Sequence, residues 1–239
     1  MRDRPIYKRI LIKLSGEVMT AQRGMGIDPV TLRNLAKEIK DLRELGIEIA
    51  LVIGGGNLIR GAQATEYGIT RVTADQVGML TTIINALAFR DVLEEMEIPT
   101  SLQSALPIEG IVAPYVCAHA LRDLREQKVV IFAGGIGSPF FTTDTAASLR
   151  ALEIGAEIIL KATKVDGVYD SDPVKNPAAV KFDRISYQEV LQRRLRVMDS
   201  TAISLCMDNQ IPLVVFNIGV RENMKRIVLG KKEGTLIGG

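Results

Sequence analysis

Val129-Val130-Ile131-Phe132-Ala133-Gly134-Gly135-Ile136-Gly137-Ser138-Pro139-Phe140-Phe141-Thr142-Thr143-Asp144-Thr145 joins an apolar run to a glycine turn and then to a helical pattern that opens near Ala146. An apolar run this short fits a strand buried on both faces. The glycines and Ser138 let backbone N–H groups approach an anion closely, and the Thr/Asp run supplies hydroxyls and a carboxylate at a helix N-terminus. Read alone, the stretch is equally an ordinary strand-to-helix turn with Thr142, Thr143 or Asp144 as N-cap and Phe140 and Phe141 packed on the core.

The same strand-then-helix alternation runs through the chain and predicts an α/β fold with a mostly parallel sheet. Arg9 to Leu14 reads as the first strand, and Asp28-Pro29 opens a helix with the stripe Leu32, Leu35, Ile39, Leu42 and Gly46 at its C′ position. Ile47 to Ile53 reads as a strand that runs directly into Gly54-Gly55-Gly56-Asn57. Thr73-Ala74-Asp75-Gln76 resembles a capping box, and the helix it opens is predicted to bury Val77, Leu80, Ile84 and Leu87 and to end before Pro99. Further strands are expected near Thr100 to Leu102, Glu157 to Lys161 and Leu213 to Phe216, and helices near Ala146 to Glu153, Tyr187 to Arg194, Thr201 to Asn209 and Glu222 to Leu229. No linker or repeat divides this order, so residues 1–239 are expected to form one domain of two lobes, roughly 1–155 and 156–239.

Composition excludes more than it selects. With 30 Lys+Arg against 28 Asp+Glu the net charge is +2, too small to draw the chain to nucleic acid or an anionic membrane. An apolar content of 47% supplies a large core. Cys117 and Cys206 have no metal-ligand spacing and read as buried free thiols of a reducing compartment. The uncharged run Val129 to Thr143, broken by glycines and Pro139, falls short of the ~20 residues a bilayer requires. These features predict a cytoplasmic protein.

Four strand ends carry the chemistry. Lys13 alternates out of phase with Ile10, Ile12 and Leu14, and it precedes Ser15-Gly16, so an ammonium and two backbone amides meet at the carboxyl end of a strand, where ligands of open α/β sheets gather. Gly54-Gly55-Gly56-Asn57-Leu58-Ile59-Arg60-Gly61 adds three glycines and a guanidinium suited to phosphate. The glycine turn before Asp144 is the third end. Lys161-Ala162-Thr163-Lys164-Val165-Asp166-Gly167-Val168-Tyr169-Asp170-Ser171-Asp172-Pro173 is the fourth, with groups suited to a nucleoside. A shared phosphate site explains all four.

The chain lacks G-x-x-x-x-G-K-[ST], H-R-D and D-F-G, which excludes P-loop and protein-kinase folds. Its lone histidine, His119, lies in a helical pattern outside the four segments. A phosphate-monoester acceptor needs no histidine base, because its second proton is largely lost above a pKa of about 6. What such a transfer requires is positive charge and alignment of two anions, which Lys13, Arg60, Lys161 and glycine amides can supply. The residues by themselves lead to a kinase of an anionic acceptor. A small-carboxylate kinase and a non-catalytic oxoanion store stay open at this level.

Lys13-Leu14-Ser15-Gly16-Glu17, Gly54-Gly55-Gly56-Asn57, Arg60-Gly61, Asp75, Gly137-x-Pro139-Phe140-Phe141-Thr142-Thr143-Asp144 and Lys161-Ala162-Thr163-Lys164-Val165-Asp166-Gly167-Val168 together resemble the amino acid kinase family, in its bacterial UMP-phosphorylating branch. The likeness runs from about Tyr7 to Ile237. It implies a three-layer α/β/α sandwich, MgATP as donor with Mg²⁺ arriving on the nucleotide, UMP as acceptor, a homohexamer, activation by GTP and inhibition by UTP. Carried over by position, Lys13, Leu14, Ser15, Gly16, Gly56 and Arg60 would meet the ATP phosphates, and Thr163, Tyr169 and Asp172 would line the adenosine site. Gly55, Asp75 and Ile136, Gly137, Ser138, Pro139, Phe140, Phe141, Thr142 and Thr143 would hold UMP. Asp144 would organise the catalytic lysines Lys13 and Lys161, with Arg60 beside them. The activator-linked segment falls on Ala21, Gln22, Arg23, Gly24, Met25 and Gly26.

Overall fold

The computed structural model describes residues 4–20, 25–58, 68–173 and 175–239. In chain order the elements are β1 (Arg9–Leu14), α1 (Pro29–Glu44), β2 (Glu48–Ile53), α2 (Arg71–Glu95), β3 (Thr100–Ser104), β4 (Ala113–Pro114), α3 (Cys117–Arg125), β5 (Val129–Ala133), α4 (Thr143–Ile154) and β6 (Ile158–Thr163). They continue with β7 (Val168–Tyr169), β8 (Lys181–Phe182), β9 (Arg184–Ile185), α5 (Tyr187–Gln192), α6 (Ser200–Asp208), β10 (Leu213–Asn217), α7 (Asn223–Val228) and β11 (Thr235–Ile237). Among the described residues a nine-stranded sheet takes the order β4-β3-β5-β2-β1-β6-β10-β11-β9, and β7 pairs with β8 apart from it. β1 lies at the centre, parallel to β2 on one side and to β6 on the other, while β11 runs antiparallel to β10.

Side-chain alternation divides the core into two. Ile10, Ile12 and Leu14 of β1 join Ile49, Leu51 and Ile53 of β2 on the face covered by α1, α2 and α7. Leu11, Ala50, Val52, Val130, Phe132 and Ile159 face the opposite layer, α3 to α6. Each fully buried Leu, Ile or Phe contributes about 1.5–3 kcal/mol, which is why the central strands read as unbroken apolar runs. This is the three-layer α/β/α sandwich expected.

Local signals fix the helix ends. Asp28 accepts from the Thr31 N–H (2.7 Å) at the head of α1, and Gly46 takes φ +82° just past its C-cap. In α2 the expected cap moves: Thr70, not Thr73, is the N-cap and accepts from the Thr73 N–H.

The face of α2 is also corrected. Leu80 and Ile84 are 45% and 50% exposed and Val77 and Leu87 only half-buried, whereas Ala74, Met79, Thr81, Thr82, Ile83, Asn85, Ala86, Phe89 and Leu93 turn inward. Apolarity alone misassigned the stripe because the buried face carries three polar residues. By length and mean hydropathy (1.2) this helix could cross a bilayer, but its inner side chains belong to the core. Cys206 is buried and Cys117 half-buried, both as free thiols.

Candidate functional site

Lys13 and Lys161 are register partners on the adjacent strands β1 and β6, both on the α4 face of the sheet. Alternation would put an apolar residue at each position; here two ammonium groups project instead. Thr142 caps α4 by accepting from the Asp144 and Thr145 N–H groups, which sets Asp144 in the first helical turn directly over the two lysines. Asp144 Oδ1 lies 2.7 Å from Lys13 Nζ, and its Oδ2 accepts from Lys161 Nζ at 2.9 Å. Lys161 Nζ also donates to the Val197 carbonyl.

All three side chains are largely buried. Burial by itself would raise the Asp144 carboxyl, but Lys13 and Lys161 outweigh it and hold the group below the usual carboxylate range. Burial pushes the Lys161 ammonium below its ordinary range, against the upward pull of Asp144. The triad therefore stores cationic charge in a dry site, fixed in direction by one shared carboxylate.

A cleft of about 400 Å³ opens on one side of the triad, lined by Gly55, Gly56, Arg71, Asp75, Met79, Thr82, Gly135, Ile136, Ser138, Phe141, Thr142 and Thr143. Its floor is the turn Gly134 to Phe140, where Gly134, Gly135 and Gly137 take φ of +73°, +59° and +82°. Phe140 is also left-handed (φ +70°), and its N–H donates to Asp75 Oδ2 at 2.8 Å. A non-glycine residue held at positive φ is strained, and here a carboxylate bond fixes it. Asp75 also accepts from Arg71 Nε. Phe140 and Phe141 are exposed at the mouth of the cleft instead of packing on the core.

On the other side lies a cleft of about 670 Å³ lined by Lys161, Thr163, Tyr169, Asp170, Asp172, Arg193, Arg194, Arg196 and Val197. Tyr169 donates to Asp166 Oδ1, and that bond holds the Asp166 carboxyl below its usual range. Thr163 donates to the carbonyls of Val165 and Phe216.

The structure brings Lys13, Asp144 and Lys161 together, gathers Gly55, Asp75, Ile136, Ser138 and Phe141 to Thr143 at one cleft, and Thr163, Tyr169 and Asp172 at the other. Leu14 packs its side chain into the core, so only its backbone faces the turn, its carbonyl accepting from the Gly54 N–H at 2.8 Å. Gly16 presses against that same turn. Arg60 and the segment residues Ala21, Gln22, Arg23 and Gly24 lie outside the described residues.

Sequence reasoning missed Asp199, which accepts from the Thr142 and Thr145 hydroxyls and from the Ala202 N–H (2.9 Å), tying the head of α6 to the head of α4. An Asp just ahead of Ser200-Thr201 was the available signal, since it reads as an N-cap. The run Arg193-Arg194-Leu195-Arg196 was visible as charge but had nothing to place it at a cleft.

Residues 8–217 match the model of the amino acid kinase family. A uridylate kinase of Legionella pneumophila (strain Lens) is 54% identical over 232 residues, 97% of this chain and 94% of that one. The crystal structure of UMP kinase from Bacillus anthracis is 42% identical with a TM-score of 0.95, covering 98% of this chain and 97% of that chain. The UMP kinase of Ureaplasma parvum is 36% identical with a TM-score of 0.92 over 98% of this chain and 99% of that chain. This chain belongs to the amino acid kinase family, in its uridylate kinase branch.

Proposed function

We propose that this chain transfers the γ-phosphoryl group of MgATP to UMP, giving ADP and UDP, in pyrimidine nucleotide synthesis. The observation that carries the proposal is the buried Lys13–Asp144–Lys161 triad standing between two clefts, one floored by glycine turns and threonines, the other walled by Tyr169 and Asp172. Relatives named uridylate kinase give the acceptor its identity.

UMP sits in the Asp75 cleft as a phosphate dianion, so no side chain has to remove a proton. One UMP phosphate oxygen bonds to the γ-phosphorus as the bridge to the β-phosphate breaks, and ADP leaves with that electron pair. Charge moves onto the bridging and equatorial oxygens. Lys13 and Lys161 are already aimed and desolvated there, with no reorganisation to undergo during the transfer. Asp144 keeps the two ammonium groups in place and stays off the phosphorus. Gly16, Gly55 and Gly56 offer backbone N–H groups in the turns, and Arg60 adds a guanidinium to the phosphates. Mg²⁺ enters as part of the nucleotide, held by phosphate oxygens and water.

The two lobes follow from the clefts: residues 1–155 serve the acceptor and 156–239 the donor. A homohexamer is the assembly proposed, supported by the apolar outer stripe of α2, where Val72, Leu80 and Ile84 are exposed. GTP activates and UTP inhibits in this reading, acting through Ala21 to Gly26; Gly26 is doubly hydrogen-bonded to Asn57 of the glycine turn. The enzyme works in the cytoplasm.

Phosphorus NMR of a mixture of protein, MgATP and UMP tests the proposal. The β-phosphorus signal of UDP should grow as the γ-signal of ATP decays, and loss of ATP without UDP would overturn it.

A further inference from the structure

A helix laid on an apolar sheet gains most from apolar side chains, yet α2 buries Thr81, Thr82 and Asn85, with Asn85 fully inaccessible. Buried polar groups cost free energy unless bonded; Thr81 donates to the Gly78 carbonyl of its own helix, whereas Thr82 and Asn85 reach the two glycine turns. Thr82 Oγ1 accepts from the Gly134 N–H (2.8 Å) while donating to the Met79 carbonyl (2.7 Å). Asn85 Nδ2 donates to the Gly54 carbonyl (2.7 Å) and to Asn57 Oδ1 (2.6 Å). Asn57 Nδ2 returns a bond to Asn85 Oδ1 (3.0 Å) and another to the Gly26 carbonyl (2.9 Å). A Cβ at Gly55 would lie 1.9 Å from Thr81 Oγ1, so the turn is seated on the helix itself. Thr82 and Asn85 are three residues apart, on one face and about 4.5 Å apart along the axis.

We propose that Thr82 and Asn85 are positioning residues that set the Gly134 turn and the Gly54–Gly56 turn against each other, and with them the acceptor and the donor phosphates. The inference rests on the UMP kinase reading of the two clefts. Thr82 acts on the acceptor through Gly134; Asn85 acts on the donor through Gly54 and Asn57. Gly26 joins the same network, so the glycine triplet and the end of the 21–26 segment move as one unit.

The test compares Thr82→Val and Asn85→Ala with Phe89→Leu, an apolar truncation on the same buried face. Thr82→Val should raise KM for UMP about tenfold and leave KM for ATP within twofold, and Asn85→Ala should do the reverse. Thr82→Ser, which keeps the hydroxyl, should retain the parental KM for UMP, and Asn85→Ser replaces Asn85→Ala if the latter does not fold. Phe89→Leu should lower the melting temperature and move neither KM. Equal changes in both KM values, or a pattern matching Phe89→Leu, would overturn the proposal. Hydrogen exchange of the ligand-free protein reads the same contacts without turnover: faster exchange confined to residues 132–139 in Thr82→Val and to 53–58 in Asn85→Ala is expected. Unchanged exchange there would refute the positioning role even in a protein inactive on UMP, and altered exchange in such a protein would refute only the kinase reading.

Discussion

The two clefts are built differently. The acceptor side is tied to the helices around it: Gly134 by the buried Thr82 of α2, Phe140 by Asp75, and Thr142 by Asp199. The donor side is closed by the two-residue strands β7 and β8 and by surface bonds such as Tyr169 to Asp166 and Val180 N–H to Asp170. A turn tied to neighbouring helices by side-chain bonds holds one geometry, whereas exposed loops with few buried contacts open at low free-energy cost. Acceptor recognition should therefore be strict and donor recognition tolerant, with the triad serving both equally.

Lys13→Ala strikes the element common to both clefts and should have the largest effect. It removes charge that meets the transition state, so kcat should fall about 10²–10³-fold while both KM values change far less. A near-normal kcat in steady-state assays would remove Lys13 from the chemistry. Asp75→Asn loses the carboxylate charge that faces the acceptor cleft and fixes Phe140. KM for UMP should rise about tenfold and KM for ATP should hold, and equal shifts would erase the distinction between the sides. Tyr169→Ala on the tolerant side should raise KM for ATP only a few-fold, because neighbouring groups of an open cleft readjust.

The smallest effect is a stability control outside both clefts. Glu38 of α1 is pushed up to about 7 by burial and by Asp41 and Glu222, with Arg221 opposing. A carboxyl whose folded pKa is raised favours the folded state below its unfolded value near 4.5, and that contribution is lost as pH rises through 7. Glu38→Gln should thus stabilise the protein at pH 8 by about 1 kcal/mol or less, since the group is partly solvated, and flatten the stability slope between pH 5 and 7. Denaturant titrations at pH 5 and pH 8 that show no difference would contradict this.

Much of the fold was legible because each central strand is buried on both faces and residues such as Pro29, Gly46 and Pro99 mark boundaries. Val129 to Ala133 and Arg9 to Leu14 were read with their observed limits, and Asp28-Pro29 placed α1. α2 was misread in the one respect that matters for function: its inner stripe is partly polar, so a rule that seeks apolar faces turned the helix outward. The short strands β4, β7, β8, β9 and β11 carry too few residues for periodicity to show. Lys13 and Lys161 could be named separately from their strand ends, but their grouping around Asp144 came only with the family resemblance, because it depends on a strand register that brings residues far apart in the chain side by side. Asp199 and Asn85 act through contacts of the same long range.

Initial rates of ADP formation with MgATP against UMP, CMP, dUMP, acetylglutamate and aspartate, each with and without GTP, test the central claim most directly. Turnover confined to UMP is predicted, with GTP raising it. Turnover on a carboxylate acceptor, or on none of the five, would leave the α/β/α sandwich standing and contradict the function proposed for it.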